Sequence, residues 1–349
     1  MFSTMKRLIL GLCLYLIQAA VASEADVLAA LQAQKIPLAA QLLSGEELTE
    51  YLQKNQKFFE VEDTPAGDDF ESRLMDLSFI DQNRKPVVQE AISTSGDIPE
   101  SFDARTQWPQ CSSLRHIRDQ ANCGSCWAVA TASAISDRIC ISSNGRRRVH
   151  VSATDILSCC GRQCGRGCSG GFPIEAWRFF ARNGSVTGGD YRATGCCRPY
   201  PFHPCGRHGN EPYYGECRGT AVTPLCRTTC VPGYRRSYRQ DKTFGRSAYA
   251  LPNSVTAIQR EIMRNGPVVS SFTTYDDFSR YRRGIYRHTA GRARGSHAVK
   301  IIGWGREGDV PYWLIANSFH SDWGENGYFR MIRGINDCGI EEHVVAGSV

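Results

Sequence analysis

The chain has 349 residues, 42% hydrophobic and 22% charged, with a formal net charge of +6. That length and balance exclude a disordered or low-complexity chain and allow a large core with more than one lobe. Met1 to Ala22 reads as a signal peptide: Lys6 and Arg7 form the basic start, Leu8 to Ala20 is apolar, and Ala20-Val21-Ala22 offers a cleavage site. The competing reading, a membrane anchor, fails on length, because a spanning helix needs roughly 20 apolar residues. No later segment is expected to cross a bilayer.

Charge is divided unevenly along the exported chain. Glu24 to Asp97 holds 6 Lys+Arg and 15 Asp+Glu, a net −9, whereas Ile98 to Val349 holds 33 basic and 20 acidic residues, a net +13. An acidic segment before a basic body suits a propeptide and the domain it covers, against the alternative of two independently solvated regions. Ser44 to Phe59 has helical spacing, with Leu48, Tyr51 and Leu52 on one face. Thr94 to Pro99 is a turn-rich linker with a candidate processing site near Asp97.

In the body, Cys126 to Ile139 is small and apolar nearly all round, which predicts a buried helix. Ser152-Ala-Thr-Asp155 starts another in capping-box fashion. Pro173 opens a third that Gly184 ends, and Ser254 to Asn265 forms a fourth. From Cys196 to Pro232 the chain is rich in Cys, Pro and Gly and lacks periodicity, as a long stapled loop would. His297 to Trp304, Tyr312 to Asn317 and Tyr328 to Ile332 read as strands.

There are 16 cysteines; Cys13 leaves with the signal, and 15 remain. Export implies an oxidising compartment, so most should pair, and the odd count leaves at least one thiol free. The sharpest candidate is Cys126, in Gln120-Ala-Asn-Cys123-Gly-Ser-Cys126-Trp127. Gly124 and Ser125 allow a tight turn that sets Cys126 at a helix N-terminus, where the dipole favours the thiolate. Gln120 lies close enough upstream to join the Cys126 N–H in an oxyanion hole. A redox Cys123-x-x-Cys126 pair lacks its βαβ context. A zinc site at Cys160, Cys164 and Cys168 is disfavoured by export. A thiol nucleophile needs a base and a group to orient it. His297 begins one predicted strand and Asn317 ends the next; alone, His297 would be an ordinary strand histidine.

These motifs resemble the papain family of cysteine peptidases and, within it, the cathepsin B-like group, over nearly all of Ile98 to Val349; Cys-Gly-Ser-Cys-Trp is the established signature of the papain-type nucleophile. The resemblance implies an α+β fold of a helical lobe and an antiparallel β lobe, with the active site between them. It divides the chain into a signal peptide (1–22), an inhibitory propeptide (23–97) and a mature domain (98–349). His297 follows Cys126 by 171 residues, beyond the roughly 130–150 usual in the family. The excess falls in residues of about 197–230, which resemble the occluding loop that makes cathepsin B both endopeptidase and dipeptidyl carboxypeptidase.

Family pairing implies disulfides Cys111–Cys140, Cys123–Cys168, Cys159–Cys226, Cys160–Cys164, Cys197–Cys230 and Cys205–Cys217. Cys126, Cys196 and Cys338 remain, with Cys196 leaving the Cys197 assignment open by one residue. Gly170 and Gly171 resemble the segment that pairs with extended substrate, Trp323 a substrate-binding residue, and His343 the base of S2. The resemblance places a charged pair between Arg207 and Asp119, gives His208 the substrate's C-terminal carboxylate, and leaves Asp322 without its loop arginine. Phe319 stands where the family has Trp. Tyr312 to Glu325 otherwise resembles enzymes of blood-feeding worms linked to haemoglobin digestion.

Asn183-Gly-Ser185 is a glycosylation sequon. Arg146–Arg148 and Arg280–Arg294 read as solvated surface rather than polyanion sites. No metal or organic cofactor is implied. The expected partners are protein and peptide substrates, the chain's own propeptide and cystatin-type inhibitors, with no nucleic acid and no membrane span. The expected state is a monomer in the secretory pathway, lysosomal or extracellular. A catalytically dead homologue acting as a binding protein is the alternative from another class.

Overall fold

The computed structural model describes residues 23–62, 69–80 and 96–349; the expected signal peptide (1–22) and the start of the 94–99 linker lie outside them. The prosegment opens with helix α1 (Glu24–Ala33), which Ser23 and Asp26 close with a reciprocal capping box. Helix α2 (Gly45–Asn55) follows, with Leu48 and Leu52 buried on the expected face. It stops short of the predicted Phe59. The Gln56 side chain accepts the Phe58 and Phe59 N–H groups, and Phe59–Val61 then forms strand β1. Hydrogen bonds to a neighbouring strand there outweigh the continued helical spacing.

The helical lobe is built on α3 (Cys126–Ser142), whose residues from Cys126 to Cys140 are all buried. Its Ala, Ser and Thr faces let other elements approach from every side. Helix α4 (Ala153–Cys159) begins where Ser152 Oγ accepts the Asp155 N–H. Helix α5 (Pro173–Asn183) runs from Pro173 to a Gly184 C-cap at φ 65°, a conformation that glycine adopts without strain. Residues 196–232 contain neither helix nor strand.

The β lobe adds helix α6 (Val255–Asn265), capped by Ser254. The strands are β2 (Phe102–Asp103), β3 (Tyr249–Ala250), β4 (Val268–Tyr275), β5 (Tyr281–Tyr286), β6 (Ala293–Glu307), β7 (Val310–Ala316), β8 (Tyr328–Ile332) and β9 (His343–Ala346). They lie in the order β1-β5-β8-β7-β6-β4-β9-β3, with β2 also on β6. All pairs are antiparallel except β5 with β8. The prosegment thus supplies an edge strand to the sheet of the domain it covers.

Each lobe has its own apolar core, one around Trp127, Ile135 and Trp177 and the other around Phe272, Phe278 and Trp313. Between them stand two buried ion pairs from adjacent α3 residues: Asp137 to Lys300 at 2.6 Å and Arg138 to Glu261 at 2.8 Å.

Candidate active site

Cys126 is the first residue of α3, and its Sγ accepts the Ala298 N–H at 3.3 Å. That contact sets the candidate nucleophile of the helical lobe against β6. One residue earlier on β6, His297 donates from Nε2 to Asn317 Oδ1 at 2.7 Å. The same oxygen accepts the Ser318 N–H at 2.8 Å, which fixes the Asn317 amide with its oxygen toward the imidazole. His297 Nδ1 is buried without a hydrogen-bond partner. With the proton held on Nε2, Nδ1 carries the lone pair that a base needs. The Phe319 ring lies 4.7 Å from the imidazole and is itself buried, so it shields the His297–Asn317 bond as an indole would.

Gln120 is fully buried and held at both ends of its amide. Ser318 Oγ donates to Oε1 at 2.6 Å, while Nε2 donates to the Cys123 carbonyl at 2.8 Å and to the Arg73 carbonyl at 2.7 Å. The Arg73 contact belongs to the prosegment, which threads the cleft. Met75 exchanges backbone hydrogen bonds with Ser296 at 2.8 Å each, and the Asp76 N–H meets the Ser169 carbonyl at 3.4 Å. Phe79 covers Gly170, where an added Cβ would stand 2.4 Å from the Phe79 ring. A Cβ added at Gly171 would likewise stand 2.6 Å from the Trp127 indole. Upstream, Phe70 packs edge-on against Phe319.

This cover inverts the expected electrostatics. Cys126 and His297 are both fully buried. Burial pushes the Cys126 thiol up to about 12, against the opposing Ala298 hydrogen bond. Burial likewise pulls His297 down to about 4, against its bond to Asn317 and with help from the Arg73 charge. The helix dipole alone does not produce a thiolate here. The covered pair is a neutral thiol beside a neutral imidazole.

The loop also departs from expectation. Arg207 is exposed and makes no ion pair with Asp119 among the described residues. His208 stands between both acids instead: Nδ1 lies 2.9 Å from Asp322 and Nε2 3.7 Å from Asp119. His320, which sequence reasoning passed over, stacks on His208 at 3.9 Å and also reaches Asp322. Asp322, expected to lack its loop arginine, has histidine partners instead.

His343 is half-buried on β9, opposite Ser271, which is itself opposite Ala298 on β6. That row shares the face of Val269 and Val345, which pack into the helical-lobe core. Glu342 is exposed. The Glu341 carboxylate is occupied by the Trp313 indole N–H and the Gly334 and Asn336 backbones. Trp323 is half-buried against Phe319, Phe278 and Tyr281. Asn183 is exposed at the end of α5. Six cysteine pairs lie at bonding distance in the implied pattern, with Cys197 bonded to Cys230; Cys126, Cys196 and Cys338 are free.

In the second basic group Arg282, Arg283, Arg292 and Arg294 are exposed, as expected of solvated surface, but two arginines are not. Arg280 and Arg287 are buried against backbone carbonyls of Gly45 and Leu31. Arg283 pairs with Glu60 at 2.6 Å, and Arg294 pairs with Glu71. The acidic prosegment is their partner. Sequence reasoning saw the charge asymmetry but not which residues meet.

Comparison with known proteins bears on the same residues. Residues 98–348 match the family described as papain family cysteine protease. The chain is 59% identical over 349 residues to cathepsin B-like cysteine proteinase 1 of Ostertagia ostertagi, covering 99% of this chain and 100% of that one. It is 56% identical over 345 residues to cathepsin B-like cysteine proteinase 1 of Haemonchus contortus, covering 99% and 98%. The solved structure of proCathepsin B S9 from Trypanosoma congolense matches at TM-score 0.73 and 35% identity, over 88% of this chain and 99% of that one. A free cysteine at a helix N-terminus, a histidine–asparagine pair, a stapled loop and a cleft closed by its own prosegment agree with those matches: the chain belongs to the papain family, as a cathepsin B-like cysteine peptidase in its zymogen form.

Proposed function

We propose that the mature domain is both endopeptidase and dipeptidyl carboxypeptidase, with Cys126 as nucleophile, His297 as base, Asn317 as its orienter and Gln120 in the oxyanion hole. Sγ attacks the scissile carbonyl while His297 Nδ1 takes the thiol proton. The tetrahedral oxyanion is held by the Gln120 amide and by backbone N–H at the start of α3. Collapse forms a thioester on Cys126, and the proton leaves His297 for the departing amine. Water, deprotonated by the same imidazole, then hydrolyses the thioester.

One observation carries this reading: a peptide carbonyl, that of Arg73, already accepts a hydrogen bond from Gln120 Nε2 at 2.7 Å. From that carbonyl the prosegment continues toward Gly170, where the family binds the residues preceding the scissile bond. It therefore runs opposite to a substrate, and Cys126 is not offered a productive bond. Stoichiometric labelling of Cys126 by an epoxide inhibitor of thiol peptidases, after prosegment removal, tests the assignment; an unlabelled, inactive mature protein would refute it and favour a binding role.

The loop over the cleft supports the exopeptidase reading. In this reading His208 Nε2, which has no hydrogen-bond partner, leaves Asp119, 3.7 Å away, and takes up a proton to meet a substrate's C-terminal carboxylate. The S2 reading rests on the row joining His343 to Ala298 through Ser271. Burial lowers the His343 pKa, opposed by the Glu342 charge, so its imidazole is neutral at pH 7 and offers P2 arginine no anion. Phe-Arg substrates should be preferred to Arg-Arg at both pH 7 and pH 5. Equal cleavage would mean that another residue forms the pocket, and His343→Glu should recover arginine at P2.

The division at residues 22/23 and 97/98, entry into the secretory pathway and glycosylation at Asn183 belong to the same proposal. So do inhibition by cystatin-type proteins, a monomeric state, and work in an acidic compartment or digestive lumen. A relative 46% identical over 313 residues is named a gut-specific cysteine proteinase of Caenorhabditis elegans, which supports the digestive alternative.

A further inference from the structure

We propose that Asp119, His208 and His320 form a binding site for a divalent transition metal of the zinc class, at the loop-covered end of the cleft and separate from the catalytic pair. Their ligand atoms all lie within 4.8 Å of one another. His208 Nε2 and Asp119 Oδ2 face each other at 3.7 Å, with side chains only 9% and 10% exposed. Neither atom has a hydrogen-bond partner.

Their chemistry makes that approach informative. The Asp322 carboxylate lies 2.9 and 3.1 Å from His208 Nδ1 and 3.2 Å from His320 Nδ1. An acceptor there fixes the protons of both rings on Nδ1 and leaves a lone pair on each Nε2. In the neutral ring, His208 Nε2 then points a lone pair at a buried carboxylate oxygen. Two acceptors so placed need a cation between them, a proton or a metal. Zinc bonds of about 2.0–2.2 Å to nitrogen and oxygen set neighbouring ligand atoms roughly 3.4 Å apart in a tetrahedron, close to the spacing present. A carboxylate behind a ligating imidazole is also the usual support of such sites, since it fixes the tautomer and raises the basicity of the ligand. Here one carboxylate serves two imidazoles.

Glu211 lies 3.6 Å from His320 Nε2 and can supply a further oxygen. A cavity of about 460 Å³ bordered by Asp119, Glu211, Tyr214 and His320 gives access from solvent. The two rings lie 21° from parallel, so closing the site requires the His320 ring to tilt. A bound metal would join the helical wall, the loop and the β wall, and would withdraw His208 from a substrate carboxylate. Only that consequence rests on the proposed exopeptidase activity; the binding does not.

The test is calorimetric titration of zinc chloride into metal-stripped Cys126→Ala proenzyme at pH 7.5, where the reactive thiol cannot serve as a ligand. One saturable site is expected. His320→Asn should weaken it at least about tenfold, as should Asp322→Asn through loss of the support. Asparagine tolerates the left-handed backbone of His320, φ 73°, so the variant should fold; Asp119→Asn provides a second probe on another element. Absence of zinc binding by the parent would mean that a proton alone fills the gap. Either that result or an unchanged affinity in His320→Asn overturns the site. In the mature enzyme, zinc should suppress release of C-terminal dipeptides more than internal cleavage. Equal loss of both would put the metal on the Cys126 thiolate and overturn the site.

Discussion

The two walls of the cleft are made rigid by different means. The helical wall, which carries Cys126 and Gln120, belongs to a region where all six disulfides fall, between Cys111 and Cys230. The β wall, which carries His297 and Asn317, has among its described residues only Cys338, and that thiol is free. There the strands β4, β6 and β7 fix the backbone through continuous ladders. Covalent staples stand where the chain has no ladder to hold it, as in residues 196–232. The proposed nucleophile thus lies on a covalently stapled wall and faces a proposed base held by hydrogen bonds, and buried ion pairs join the apolar contacts of Val269, Ala298 and Val345 in fastening wall to wall.

That fastening is the place to break the molecule most severely. Lys300 on β6 and Asp137 on α3 are 2% and 0% exposed, 2.6 Å apart. Lys300→Met should cost about 3–5 kcal/mol in urea unfolding, because it leaves Asp137 charged and uncompensated in the interior. Lys300→Met with Asp137→Leu should recover most of the loss. An equally damaged double variant would mean that packing, not charge, joins the walls there.

Next in size is the response of the covered cleft to acid. The pKa of His297 falls from its ordinary value of 6.5 to about 4 under the prosegment, through burial. The covered state therefore binds fewer protons than the open one. Its advantage is complete above pH 6.5 and is lost as pH falls from there toward 4, by up to about tenfold in affinity per pH unit. Binding of a prosegment peptide to mature Cys126→Ala enzyme should weaken accordingly between pH 6.5 and 4.5. His297→Gln should flatten that dependence; an unaltered profile in this variant would exclude His297 as the sensor.

A smaller effect separates stapled loop from wall. Cys205 and Cys217 are 12 residues apart, so their bond limits the unfolded loop by roughly 3 kcal/mol in the chain-entropy account. Replacing both with Ala should loosen only residues around His208. Dipeptide release should fall severalfold while internal cleavage is kept. Parallel loss of both activities would mean that the staple supports the whole helical wall.

The helices were legible in the sequence because their signals are local. Ser152, Pro173, Gly184 and Ser254 stand at the ends where they were expected. The residues proposed as catalytic could be singled out because each sits in a short motif. Strand β4 was not, since Val268 to Phe272 is buried without interruption and shows no alternation of apolar and polar residues. Strand β1 was hidden inside a helical pattern that only its partner β5 overrides. The exchange of roles between Arg207 and His208, and the recruitment of His320, depend on how an irregular loop lies over residues more than 100 positions away, which no local pattern encodes. The neutral state of Cys126 was invisible for a similar reason: it depends on what covers the cleft, not on the helix beneath it.

The smallest expected effect concerns the acidic prosegment on its basic body. Glu60 meets Arg283 at 2.6 Å, yet the side chains are 48% and 67% exposed, and exposed pairs contribute little because water screens them. The Arg283 hydrogen bond also lowers the Glu60 pKa. A carboxylate held below its ordinary 4.5 contributes its attraction above that value and loses it only as pH falls further. At pH 5 the pair is still formed, when His297 in the open state is already protonated. Arg283→Ala should therefore weaken prosegment binding no more than a few-fold at pH 7 and leave the pH dependence between 6.5 and 5 unchanged. The apolar contacts of Phe70, Leu74, Met75 and Phe79, all buried, carry the affinity instead, and Phe79→Ala should cost far more than Arg283→Ala. If the arginine variant instead moves the acid response to higher pH, the ion pairs rather than the buried imidazole would govern release of the prosegment.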